Sequence, residues 1–103
     1  MYKMMAIYEE PKDIEKFDEH YFGVHVPLLH KLPHLLSFSV QRVKSVQNTE
    51  TPIYLVVELK YENETTFNQS FVSKEGREAQ ADTTKMLPLL YKLPTVLLVE
   101  EVL

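Results

Sequence analysis

The chain contains no cysteine. That excludes disulfides, thiolate nucleophiles, iron–sulfur clusters and cysteine zinc sites. It has only two glycines, Gly23 and Gly76, too few for a glycine-rich phosphate loop, a P-loop or a Gly-x-Ser-x-Gly elbow. No apolar stretch approaches the roughly 20 residues of a membrane span, and no basic run exists. With 15 acidic against 11 basic residues the net charge is −4, which argues against nucleic acid or an anionic membrane as a partner. The N-terminus enters an alternating pattern at once (Tyr2, Met4, Ala6, Tyr8) without the charged-then-apolar start of a leader, so a cytoplasmic protein is expected.

What is present is an ordinary globular composition, 45% apolar and 25% charged over 103 residues. It describes one domain, residues 1–103, small enough that association would add useful burial. Residues 2–9 alternate as a strand, and Asp13 is placed to cap a helix. Ile14, Phe17, Tyr21, Val24 and Leu28 then follow at helical spacing. Pro27 lacks an N–H and crowds the carbonyl of Gly23, so this helix is expected to kink or break between them, or to restart with Pro27 at its first position. Leu36, Phe38 and Val40 alternate in a second strand, and Ile53 to Tyr61 form a third. Thr65 or Thr66 can cap a second helix carrying Phe67 and Phe71, with an interruption and fresh cap at Ser73-Lys74-Glu75-Gly76. Leu93 to Leu103 reads as the last strand.

This order predicts an α+β fold: a ferredoxin-like β-α-β-β-α-β arrangement, a four-stranded antiparallel sheet with both helices on one face. The strands are apolar on both sides. The third sets Ile53, Leu55, Val57 and Leu59 against Tyr54, Val56 and Glu58; the last sets Thr95, Leu97 and Val99 against Val96, Leu98 and Val102; the first sets Met4 and Ala6 against Met5 and Ile7. A sheet with one wet face alternates with polar residues. A second copy of the chain is the simplest cover for such a face, so a two-fold homodimer is expected.

His25 leads the candidates for chemistry. It sits near the Gly23–Pro27 irregularity and carries an imidazole that titrates near neutral pH, suited to general acid/base work. The competing reading is a helix-end histidine that satisfies a freed carbonyl. His20, His25 and His30 recur every five residues, roughly 140° apart around a straight helix, so they converge on a metal only if the kink realigns them. Tyr54 and Glu58 share a strand face and are candidates to orient a substrate. Glu58 is either a site residue or an edge residue reaching water. His20 and Phe22 are further candidates for substrate contact.

Several segments resemble one family: Met1-Tyr2-Lys3-Met4-Met5, Phe17-Asp18-Glu19-His20-Tyr21-Phe22, His25-Val26-Pro27-Leu28, Lys31-Leu32-Pro33, Pro52 to Leu59 and Ser73-Lys74-Glu75-Gly76. On these the chain resembles the EthD-like family over nearly its whole length, with His-x-Pro-Leu the most specific element. The resemblance implies a dimeric α/β barrel, two sheets packed face to face around an interior pocket. It also implies a link to degradation of ethyl tert-butyl ether beside a cytochrome P450 system, and a characteristic histidine at His25. Relatives in that barrel superfamily include cofactor-free oxygenases, cyclases, isomerases and haem-binding proteins, so it implies a fold more than a reaction. One departure is Pro33-His34, where the family usually has Pro-Gly; His34 is expected to adopt a left-handed turn. The expected functions are a cofactor-independent enzyme on a small apolar or aromatic metabolite, or a non-catalytic binding or accessory dimer. Haem held by His25 or His20 is a third reading.

Overall fold

A computed structural model describes all residues, Met1 to Leu103. The strands are β1 (Tyr2–Glu9), β2 (Ser37–Arg42), β3 (Ile53–Tyr61) and β4 (Thr95–Glu100), joined by α1 (Ile14–His20), α2 (Val26–Leu29), α3 (Glu64–Val72) and α4 (Lys74–Lys85). They form one open antiparallel sheet in the order β2-β3-β1-β4, the ferredoxin-like arrangement expected. The molecule measures 34 × 31 × 18 Å, the thickness of one sheet and one helical layer. No helix is long and apolar enough to cross a membrane.

The first helical arm begins as expected, with Asp13 accepting the Lys16 N–H at 3.0 Å. It does not break before Pro27. Residues Tyr21–His25 form a π-turn, and the Val26 N–H bonds the carbonyl of Tyr21, five residues back. The wider turn takes up the proline, which sits in the first turn of α2 where a missing N–H costs nothing. The arm stops at His30, and His34 then adopts φ 66°, the left-handed turn expected there.

The second arm corrects one expectation. Asn63, not Thr65 or Thr66, caps α3; Thr66 is the third helical residue and returns a bond to Asn63 in a reciprocal capping box. The fresh cap at Ser73 is present, its Oγ accepting the Gly76 N–H at 3.0 Å. β4 is also shorter than expected, because Leu93 and Pro94 lie before it and residues 101–103 beyond it.

The core lies between the helices and one sheet face. Leu55, Val57, Leu59 and Tyr61 of β3 are buried there with Tyr8, Phe17, Tyr21, Leu29, Phe67 and Met86. Tyr8, Phe17 and Tyr21 form an aromatic triangle with centroids 5.4–5.5 Å apart, each pair worth about 0.5–1.5 kcal/mol beyond area burial. No element covers the other face, where Met5 lies opposite Leu97, and Ile7 opposite Val56, with Val99 alongside.

Candidate functional site

The helix-covered face does not close completely. A cavity of about 630 Å³ lies between the sheet and the helical layer, within the roughly 300–1,000 Å³ of small-molecule sites. Tyr8, Tyr21, Leu29 and Phe67 wall it, and Asn68, Gln80, Thr83 and Thr84 add polar groups. No charged side chain lines it. It opens along the edge strand β4, where Val96 and Leu98 are half-exposed beside Phe71 and Leu93. The pocket expected between two paired sheets therefore has a counterpart inside a single chain, on the opposite side of the sheet. The helices leave β4 uncovered, and this gap makes the space.

His25 lines this cavity and is itself buried. Its ring packs on Tyr21 with centroids 5.0 Å apart, and its Nδ1 lies 2.8 Å from Oδ2 of Asp82 on α4. His20 Nε2 meets the same carboxylate from the other side, at 2.9 Å to Oδ1 and 3.0 Å to Oδ2. The π-turn makes this possible. Its extra residue brings two histidines five apart onto one acceptor, whereas a straight helix would separate them by roughly 140°.

The electrostatics assign the protons. Burial lowers the His25 pKa below the ordinary imidazole value, although the Asp82 carboxylate opposes this. Burial alone would raise the Asp82 carboxyl; the bonds from His25 and His20 outweigh it and hold Asp82 below its usual range. The combination is an ionised carboxylate and a neutral imidazole, so Nδ1–H donates to Asp82 and Nε2 is left as the nitrogen with a free lone pair. Burial pushes the Tyr8 and Tyr21 phenols up, and both stay protonated.

The other sequence candidates lie elsewhere. His20 is outside the cavity, behind Asp82, and His30 packs edge-on against Phe38 at 4.8 Å. Tyr54 and Glu58 do not share a face. A bulge between Tyr8 and Glu9 breaks the register beside Tyr54, and its hydroxyl donates to Asp18 on α1 at 2.7 Å. Arg42 bonds both Tyr54 and Asp18 and stacks over the rings of Tyr54 and Phe22, 5.3 and 5.8 Å away. Phe22 thus belongs to a surface cluster. Glu58 lies on the uncovered face, paired with Lys3 at 3.1 Å.

Asp82 is the residue that sequence reasoning missed, and a signal existed. Ala79, Asp82 and Met86 follow at spacings of three and four, which puts a carboxylate on the buried stripe of α4. Such a group demands a partner.

A protein-family model, the EthD domain, matches residues 9–87. The chain is 34% identical over 82 residues, 80% of either chain, to an uncharacterized 11.0 kDa protein in the thcB-thcC intergenic region of Rhodococcus erythropolis. The crystal structure of an ethyl tert-butyl ether degradation (EthD) family protein from Bacillus halodurans C-125 superposes with a TM-score of 0.86. It is 35% identical and covers 98% of both chains. A dimeric ferredoxin-like protein from Thermobifida fusca YX shares the fold alone: TM-score 0.70, 13% identity, 97% of this chain and 90% of that one.

Proposed function

The chain belongs to the EthD domain family, and from that premise we propose that it is a cofactor-independent enzyme of oxygenase, cyclase or isomerase type acting on a small apolar or aromatic metabolite. His25 is its general acid/base. One observation carries the reading: a neutral, buried imidazole lines an uncharged cavity while a carboxylate binds its other nitrogen. In such a site Nε2 takes a proton from an acidic C–H or O–H of the ligand, and Asp82 stabilises the imidazolium that forms. The apolar walls strengthen that attraction by excluding water. The substrate is held by the aromatic walls, with Gln80 and Thr83 as polar contacts. The functional unit is a homodimer joined through the uncovered sheet face.

Tyr54, Glu58, His20 and Phe22 are not proposed as substrate contacts, since none of them lines the cavity.

The test is a thermal-shift screen of wild type and His25→Ala against aromatic, quinone and ether ligands, with haem as a separate arm, followed by turnover of any hit. We expect ligands that stabilise wild type, with turnover falling at least about 100-fold in His25→Ala. A ligand turned over equally well by both proteins defeats the acid/base role.

The second reading is a non-catalytic ligand-binding or accessory dimer supporting an oxygenase degradation pathway. The predominantly apolar lining favours it, because binding needs no proton transfer. Ligands that bind wild type and His25→Ala alike, without turnover, select it.

A further inference from the structure

His20 has no part in the cavity, yet it grips the carboxylate that holds His25. It stands in a surface depression formed with Lys16, Glu19, Gly23 and Val24. Its side chain is 29% exposed, while those of Asp82 and His25 are 5% and 6% exposed. One buried carboxylate is thus held from the solvent side by one imidazole and from the cavity side by another. An irregular turn is needed to bring both to it, and π-turns of this kind recur at functional sites.

We propose that His20 is a positioning residue for His25. From the solvent side it fixes the plane of the Asp82 carboxylate, which holds His25 with Nδ1–H inward and Nε2 toward the cavity. Its own protonation weakens the support that Asp82 gives to a proton on His25. This rests on the reading of His25 as the cavity's acid/base group.

The physical basis is the sharing of one negative charge. With His20 neutral, Asp82 lends its full charge to an imidazolium at His25. With His20 protonated, the carboxylate is already compensated and a second cation faces the first across it. Lys16 and Glu19 flank His20 on α1, Asp82 faces it from α4, and the turn after α4 presents apolar Leu89. His25 faces Asp82 and the Tyr21 ring, and no charged side chain shares its cavity. His20 is therefore the solvent-facing titratable group bonded to the carboxylate that His25 uses.

The experiment is a histidine-ring ¹⁵N NMR titration of the full chain, wild type and His20→Gln, without ligand. Glutamine keeps a donor for Asp82 but cannot become charged. In wild type, His25 is expected to show the Nδ1–H tautomer at neutral pH, and its shifts to carry a second inflection at the midpoint of His20. In His20→Gln that inflection disappears and the His25 midpoint rises. Identical His25 curves in the two proteins overturn the proposal. If His20→Gln does not fold, wild type alone decides, since a single-step His25 curve blind to His20 also overturns it. An Nε2–H tautomer in wild type would instead defeat the acid/base reading of His25, whatever the variant does.

Discussion

At the scale of the residue, His25 and Asp82 tie stability to pH in one direction. Both have folded-state pKa values below their ordinary ones. As pH falls, the unfolded chain's imidazole takes up its proton near about pH 6.5 while the buried His25 resists, so stability declines from there. The unfolded carboxyl then protonates near about pH 3.9 while Asp82 stays ionised, and a second loss follows. Stability from both groups is complete above the upper value. Denaturant midpoints of wild type should hold level above about pH 7 and fall below about pH 6.5, and His25→Gln should flatten the curve down to about pH 5. A variant curve parallel to wild type across that interval would mean that His25 is not buried in its neutral form. Replacing Asp82 by alanine should cost about 1–3 kcal/mol at neutral pH in denaturant unfolding, because it leaves the buried His25 Nδ1–H without its acceptor while the part-exposed His20 can turn to water.

At the scale of the element, the junction of α3 and α4 is a close-packed joint. Ser73 ends one helix and starts the next, and its Oγ binds both the Ser70 carbonyl at 2.6 Å and the Gly76 N–H at 3.0 Å. The chain doubles back so closely that a Cβ on Gly76 would stand 2.2 Å from the Ser70 oxygen and 2.6 Å from that of Phe71. These are backbone atoms and cannot rotate away. Gly76→Ala, ordinarily favourable in a helix, should here destabilise by about 2–3 kcal/mol, read as a lowered melting temperature. Gly23→Ala, with nothing within 4 Å of its Cβ position, is the control and should leave stability unchanged or improved. The sequence announced this joint through Ser73 and Gly76, because caps and breakers are local chemistry. Asp13 and Pro27 were legible for the same reason. The π-turn was not, since a helix can meet a proline by breaking or by widening, and the partner that the widened turn brings to His25 is Asp82, 57 residues away. Tyr54 was misplaced because alternation holds only until a bulge resets it, and the bulge depends on pairing with β1. His25 was legible as a candidate by its chemistry; its carboxylate partner is a tertiary fact, visible in sequence only as a charge on an apolar stripe.

At the scale of the whole molecule, the uncovered sheet face remains to be accounted for. It carries Met5, Ile7, Val56, Leu97 and Val99, with Lys3 and Glu58 already paired beside Met5 and Val99 on the two central strands. In a slab 34 by 31 Å across this face can supply the roughly 800 Å² per partner of a stable interface. A two-fold axis through it would set each apolar cluster against its copy, and the Lys3–Glu58 charges would enter the interface already paired. Wild type is therefore expected to sediment as a dimer at micromolar concentration. Leu97 offers the sharpest probe. It is 41% exposed in the single chain, so glutamate there can reach water in a monomer but would be buried unpaired in the dimer. Leu97→Glu should weaken association by about 100-fold or more while the far-ultraviolet circular dichroism of the chain is retained. Val96→Glu, one residue along but on the cavity face, separates the two sides of β4, since it should leave the dimer intact and abolish ligand-induced thermal stabilisation. A chain that sediments as a monomer would defeat the dimer, and a dimer broken by Val96→Glu and not by Leu97→Glu would move the partner to the cavity side.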